Sequence, residues 1–358
     1  MPTQETQPAD RAGSSAVRPV AEVIELVREW VDRPARARPD FAGAYLWGGI
    51  TTLPAEAPFP LYRDVDVVVV LTQGAPEDEE EVCYRGLILE VIWQNLAAHQ
   101  EVAAVLADPS RGPNLATTQI LADPTGILAP LHQAVAAGYG WRRWIQARCA
   151  AEKAAVAEWL ATMRQAATPL DRLIAARVVL GMLSGLLAVA QLARPTTRRA
   201  LALLGELLEA QERPDLHEAA LTLMGSAHLS RADVQALHDQ TVSAFDRAVE
   251  VYQTPIPFGF ALRAHVRPYH VEGTQEMIDA GQYREALFWI TCLDTAYRAL
   301  ENDAPTAETP VFAAQFHALL AALGYTSAEA WAERVAAAER LALAIYRIAD
   351  ALAARYPD

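Results

Sequence analysis

The segment Arg63-Asp64-Val65-Asp66-Val67-Val68-Val69-Val70-Leu71 constrains this chain more than any other. Side chains branched at Cβ lose freedom in a helix and suit a pleated surface, and an unbroken run of them fits a strand buried on both faces. Such a strand needs a covering layer on each side, so this region must fold as a layered unit of helices and sheet. The head of the run is different. Asp64 and Asp66 are two residues apart, and because side chains alternate along a strand both carboxylates project to the same face.

The sequence around this strand supplies its partners. From Val20 to Asp32, Val23, Ile24, Leu26, Val27 and Trp30 recur at helical spacing, and Pro34 ends the pattern. Phe41 to Trp47 reads as a short strand running into the turn Gly48-Gly49, followed by a loop containing Pro54, Pro58 and Pro60. Leu87 to Trp93 and Thr117 to Ala122 are further strand candidates, the second closing on the turn Asp123-Pro124-Thr125-Gly126. Asn95 to Leu106 and Ile127 to Ala137 look helical, and the acidic run Glu77 to Glu81 reads as a solvated loop.

After Trp141 the composition turns to Ala, Leu, Glu and Arg with no convincing strand. Helices are expected over Trp141–Arg164, Pro169–Leu192, Thr196–Ala210, Leu216–Met224 and Ser230–Val251, the last opened by a capping box of Ser230 and Asp233. A break at Thr254–Gly259 precedes a further helical segment. Its final long helix starts near Ser327, with Thr326 and Glu329 at capping-box spacing. The expected class is α+β, an N-terminal α/β domain with a small mixed sheet followed by an all-α C-terminal part. The expected divisions are a disordered polar lead at 1–18, the α/β domain at 19–140, a helical domain at 141–253 and an additional helical segment at 254–358.

Composition excludes several function classes. No stretch approaches the roughly 20 uncharged apolar residues of a spanning helix; Val178–Leu192 is the longest candidate and ends at Arg194. With no apolar leader in the lead, a cytoplasmic location is expected. Cys83, Cys149 and Cys292 form neither a zinc spacing nor a disulfide framework, and lone histidines such as His99 and His317 read as packing residues. The net charge is −14, and residues 1–140 hold 19 acidic residues against 9 arginines, so an acidic cleft is expected there. That balance disfavours nucleic acid and suits divalent metals and cationic small molecules. Lys153 is the only lysine, so any other phosphate clamp must use arginine or metal ions.

Asp64 and Asp66 on one strand face can share hard-oxygen ligation of magnesium. Gly48-Gly49 lets backbone N–H groups approach a triphosphate, and Thr51 and Thr52 could add hydroxyl donors. A two-metal site for phosphoryl transfer needs a third carboxylate on a neighbouring strand. Glu90 fits, as the single charged residue of Gly86–Trp93; a strand-end residue turned to solvent is its alternative.

In this order, strand, Gly-Gly, loop, Asp-x-Asp strand, strand with one acid, the chain resembles the nucleotidyltransferase superfamily that includes DNA polymerase beta. The gap from Gly49 to Asp64 holds 14 residues, and Gly49 stands where Ser is common. Within the superfamily the chain looks most like the kanamycin nucleotidyltransferase group of aminoglycoside-modifying enzymes. Asp123-Pro124-Thr125-Gly126-Ile127-Leu128 resembles that group's aspartate turn, and Pro169–Tyr252 resembles its helical C-terminal domain. The chain beyond residue 254 has no counterpart there.

The resemblance implies transfer of a nucleoside monophosphate from a magnesium-bound triphosphate, with ATP the first choice and two ions expected, to a hydroxyl of a small cationic acceptor such as an aminoglycoside. It implies a glutamate base and a phosphate-contacting lysine on the first helix of the helical domain. Glu152 and Lys153 are the candidates, Glu158 offers a second base or a substrate contact, and solvated helix surface is the alternative for each glutamate. Glu81 matches a position that contacts the cationic substrate, against its reading as part of the acidic loop. A homodimer is also implied, although residues 254–358 could instead supply the missing wall within one chain. Two rivals remain at this level, a protein-modifying enzyme paired with a toxin-type helical domain and a catalytically inactive nucleotide-binding regulator.

Overall fold

The computed structural model describes residues 17–76 and 80–358. Residues 1–16 of the expected lead and Glu77, Asp78 and Glu79 of the acidic run lie outside these. The described residues open with β1 (Val17–Pro19) and α1 (Val20–Trp30), and β1 starts two residues before the expected boundary at 19. There follow β2 (Phe41–Leu46), β3 (Pro58–Pro60), β4 (Asp64–Leu71), β5 (Glu80–Tyr84) and β6 (Leu87–Asn95). After them come α2 (Val102–Ala107), α3 (Arg111–Thr117), β7 (Ile120–Ala122) and α4 (Leu128–Gly138). β1 and β3 form a small separate ribbon.

The main sheet is five-stranded and mixed, ordered β5-β6-β4-β2-β7, with β4 parallel to β6 and the other pairs antiparallel. β4 has the two-faced burial expected of its sequence. Val65, Val67, Val69 and Leu71 pack with Val20, Val23 and Val27 of α1. Val68 and Val70 pack on the other face with Leu106, Leu115, Leu128 and Val135 from α2, α3 and α4. Asp64 and Asp66 share that second face by alternation, at the end of the strand that these helices leave uncovered.

Two elements here run against the sequence reading. Glu80 and Glu81 belong to β5, an edge strand joined to β6 by a tight turn in which Arg85 and Gly86 both have positive φ. Such a turn matches the twist of the paired strands, and ladder hydrogen bonding to β6 outweighs the loop character of the acids. α3 contains Gly112 and Pro113, residues that argue against a helix, and it takes up the start of the expected Thr117–Ala122 strand. Tertiary packing holds it: Asp108 Oδ1 accepts from the amides of Ser110 and Arg111, and Leu115 is fully buried. Asp123 caps α4, accepting from the amides of Ile127 and Ala129 at 3.1 and 3.0 Å.

The remaining chain is helical as expected: α5 (Arg142–Gln165), α6 (Pro169–Ala190), α7 (Ala200–Glu209), α8 (Pro214–Met224), α9 (Arg231–Val251), α10 (Arg267–Asp279), α11 (Tyr283–Ile290), α12 (Asp294–Asp303), α13 (Thr309–Ala322) and α14 (Ala328–Ala353). The capping box of α9 forms between Ser230 and Asp233. α14 is capped by Ser327, whose side chain accepts from the amide of Ala330, and not by the Thr326–Glu329 pair.

α6 is long and apolar enough to cross a membrane, although Asp171, Arg172 and Arg177 interrupt its first half, and 72% of its apolar window is buried inside the fold. It is the central helix of the bundle, against α5, α7, α8 and α14. One continuous apolar cluster runs from Ile145 to Ala353, so residues 141–253 and 254–358 share a single core. A buried ion pair joins them, Arg177 of α6 to Asp294 of α12 at 3.0 Å.

Candidate metal centre and its cleft

The register of the parallel pair β4–β6 sets Asp66 beside Glu90, with Asp64 one pleat away on the same face. Ligand oxygens of Asp64, Asp66 and Glu90 all lie within 4.8 Å of one another, each residue half-buried. Burial raises the Asp64 carboxyl above the usual carboxylate range, while Arg198, a hydrogen bond with Glu90 and one from the Tyr269 hydroxyl draw it back. A hard, oxygen-bound divalent cation fits this donor set.

Gly48 brings Asp66 into place. It has φ +71°, and a Cβ built on it would overlap Asp66 Oδ2. Around Gly49 the space is open, and both glycines line a cleft of about 890 Å3 that has the triad on its floor. The Gly48 amide donates to Asn114 Oδ1 at 3.1 Å. Thr51 and Thr52 turn their hydroxyls back to the carbonyls of Gly48 and Gly49, both at 3.2 Å, and neither lines the cleft. The expectation of free threonine donors is corrected: a short 3-10 turn (Gly49–Thr52) points them at their own backbone.

The opposite wall comes from the helical part. The loop between α6 and α7 contributes Arg194, Arg198 and Arg199, and α10 contributes Tyr269, Gly273, Glu276 and Met277. Arg194 donates to the Gly48 carbonyl, to Asn114 Oδ1 at 2.9 Å, to Thr51 Oγ1 at 2.7 Å and to Thr117 Oγ1. Arg198 lies 4.5 Å over the Tyr269 ring and donates to the Tyr269 carbonyl at 3.1 Å. Arg63, preceding β4, pairs with Glu276 at 3.0 Å and fastens α10 to the sheet. Residues 254–358 thus supply a wall of the cleft.

The lining is balanced in charge: Arg63, Arg111, Arg194, Arg198 and Arg199 face Asp64, Asp66, Glu90, Asp108 and Glu276. Asp108 pairs with Arg111 at 3.1 Å. The acidic cleft expected from residues 1–140 does not form, because the helical part brings arginines into it. These arginines were missed in the sequence, although Arg194-Pro195-Thr196-Thr197-Arg198-Arg199 is a visible basic cluster after an apolar helix. No local pattern says which carboxylates such a cluster will face.

Four further candidates stand apart from the cleft lining. Glu152 falls on the buried stripe of α5 (Ile145, Cys149, Val156, Leu160, Met163), against Gly185 of α6. Burial, then repulsion from Asp108, pushes its carboxyl up to about 7. Lys153 pairs with Asp350 of α14 and lies 5.4 Å over the Tyr346 ring, which corrects the expected phosphate contact. Glu158 is exposed on α5. Glu81 is half-buried on β5 directly opposite Glu90, so it extends the acidic row across the same sheet face. Of the histidines, His99 is a satisfied core residue, bonded to Tyr45 and the Asn95 carbonyl, and His317 is exposed.

No protein-family model matches the chain, and no curated protein matches it.

Proposed function

We propose that this chain is a metal-dependent nucleotidyltransferase, related in fold to the DNA polymerase beta group, that transfers a nucleoside monophosphate from a triphosphate to a hydroxyl of a small molecule. The observation that carries this reading is the convergence of Asp64, Asp66 and Glu90 from two parallel strands on the floor of a cleft whose far wall is arginine-rich. Carboxylates suit a divalent cation and guanidinium groups suit phosphate, and phosphoryl transfer needs both on either side of one reacting phosphorus.

Asp64, Asp66 and Glu90 would hold two magnesium ions. When bound, such ions supply Lewis-acid stabilisation of the attacking and leaving oxygens. The chain's own residues do the rest. Gly49 leaves room beside the triad for a phosphate to approach the backbone, Arg194 and Arg198 take the non-bridging phosphate oxygens, and Tyr269 orients Asp64 by its hydrogen bond. A cleft of about 890 Å3 accommodates a nucleotide with a small acceptor, which favours a small-molecule acceptor over a protein side chain. With its charges balanced, the lining places no requirement on the acceptor to be a polycation.

The test is release of pyrophosphate from a labelled nucleoside triphosphate in the presence of polyhydroxylated acceptors. Asp66→Asn is expected to lower transfer by about 100- to 1000-fold, the scale seen when a transition-state charge stabiliser is removed, with the thermal transition retained. Retained transfer in a folded Asp66→Asn protein overturns the reading.

A further inference from the structure

We propose that Arg194 and Arg198 act as resident counter-cations for the carboxylate triad, weakening metal binding until a triphosphate arrives and draws them onto its phosphates. The inference rests on the nucleotidyltransferase reading and adds to it a reason why metal and nucleotide would load together.

Each arginine is keyed to a different carboxylate. Arg194 bonds the carbonyl of Gly48, the residue against which the Asp66 carboxylate is packed, and Asp66 acts back on Arg194 by its charge. Arg198 is stacked on Tyr269, whose hydroxyl bonds Asp64, and its charge acts on Asp64 directly. Both guanidinium groups are half-buried in one cleft with the triad, where charges interact more strongly than in bulk water. Other carboxylates of the lining have arginines of their own, Asp108 with Arg111 and Glu276 with Arg63, and Arg199 pairs with Glu206 at 2.8 Å.

A divalent cation entering the triad alone therefore meets two fixed positive charges. A triphosphate seated between the arginines and the triad converts that repulsion into attraction on both sides. Such coupling is reciprocal: nucleotide tightens metal by the same factor as metal tightens nucleotide. Chelation of a metal by a triphosphate also produces synergy, so synergy alone does not separate the two causes. The sign of an arginine substitution does, since removing a counter-cation tightens the metal alone and loosens the nucleotide.

The experiment is titration of the full chain with Mn2+, followed by paramagnetic resonance of the free ion, without and with a non-hydrolysable α,β-methylene triphosphate. Arg198→Gln is expected to bind Mn2+ alone about tenfold tighter than the wild type and the triphosphate analogue about tenfold weaker. Arg198→Lys, which keeps the charge, is expected to bind Mn2+ alone like the wild type. Folded Arg198→Gln with unchanged or weaker Mn2+ binding overturns the inference while the analogue still binds the wild type. If Arg198→Gln does not fold, Arg194→Gln is read by the same two affinities. Failure of the nucleotidyltransferase reading looks different: no Mn2+ binding sensitive to Asp66→Asn, with or without the analogue.

Discussion

The Asp66 carboxylate occupies the space that a side chain at Gly48 would need, so the glycine turn after β2 and the acid on β4 are one device. The amide of Trp47 donates to the Asp66 carbonyl at 2.9 Å, holding the two backbones together where the carboxylate bends across the turn. Gly48 admits the Asp66 carboxylate, and the open space lies beside Gly49.

Gly48→Ala follows from this contact. With φ +71° and ψ −165°, Gly48 sits in a region essentially reserved for glycine, so a Cβ there costs about 1–3 kcal/mol, and relieving the overlap must move the carboxylate. Mn2+ affinity is expected to fall about tenfold or more and transfer about 100-fold, the scale of an ångström-sized misplacement. Metal titration beside a denaturation curve checks both. Unchanged metal affinity would show that the triad does not depend on the turn.

Glu152→Gln tests the buried carboxyl of α5. Its folded pKa of about 7 exceeds the ordinary 4.5, so the folded state binds the proton more tightly. The stability this contributes is fully present below pH 4.5 and is lost as pH rises through 7. A glutamine keeps the neutral shape at every pH. Chemical denaturation should find wild type and variant alike near pH 4.5, and the variant more stable by about 1–2 kcal/mol at pH 8, a figure discounted for partial solvent screening.

Arg177→Ala tests the union of the helical segments. It leaves Asp294, 4% exposed, without its guanidinium, and breaking one side of a buried pair costs about 3–5 kcal/mol. The expected result is one cooperative unfolding transition at lower denaturant concentration. Two separate transitions, with the α10–α14 half melting first, would contradict the shared core.

The acidic strand shows how much was legible beforehand. Valine density from Val65 to Val70 implied burial on both faces, and two-residue spacing put Asp64 and Asp66 on one side; both are local consequences of strand geometry. Glu90 was readable as one charge in an apolar run, since a buried carboxylate needs a cation or a proton. The helices from α5 to α9 were readable from their Ala, Leu, Glu and Arg composition, and Ser230 with Asp233 from capping-box spacing.

Tertiary structure decided the rest. Whether Glu81 is loop or strand depended on a ladder with β6, and whether Glu152 meets the cleft or the bundle depended on which stripe of α5 packs on α6. Arg194, Arg198 and Tyr269 reach Asp64 and Asp66 from more than 100 residues away in the chain, across a contact between a loop, a helix and a sheet. Periodicity and spacing report neighbours within one element, where backbone geometry is fixed. The charge of this cleft is set between elements, by packing that no local pattern encodes, and that is why an acidic N-terminal sequence ends up lining a cleft balanced by arginine.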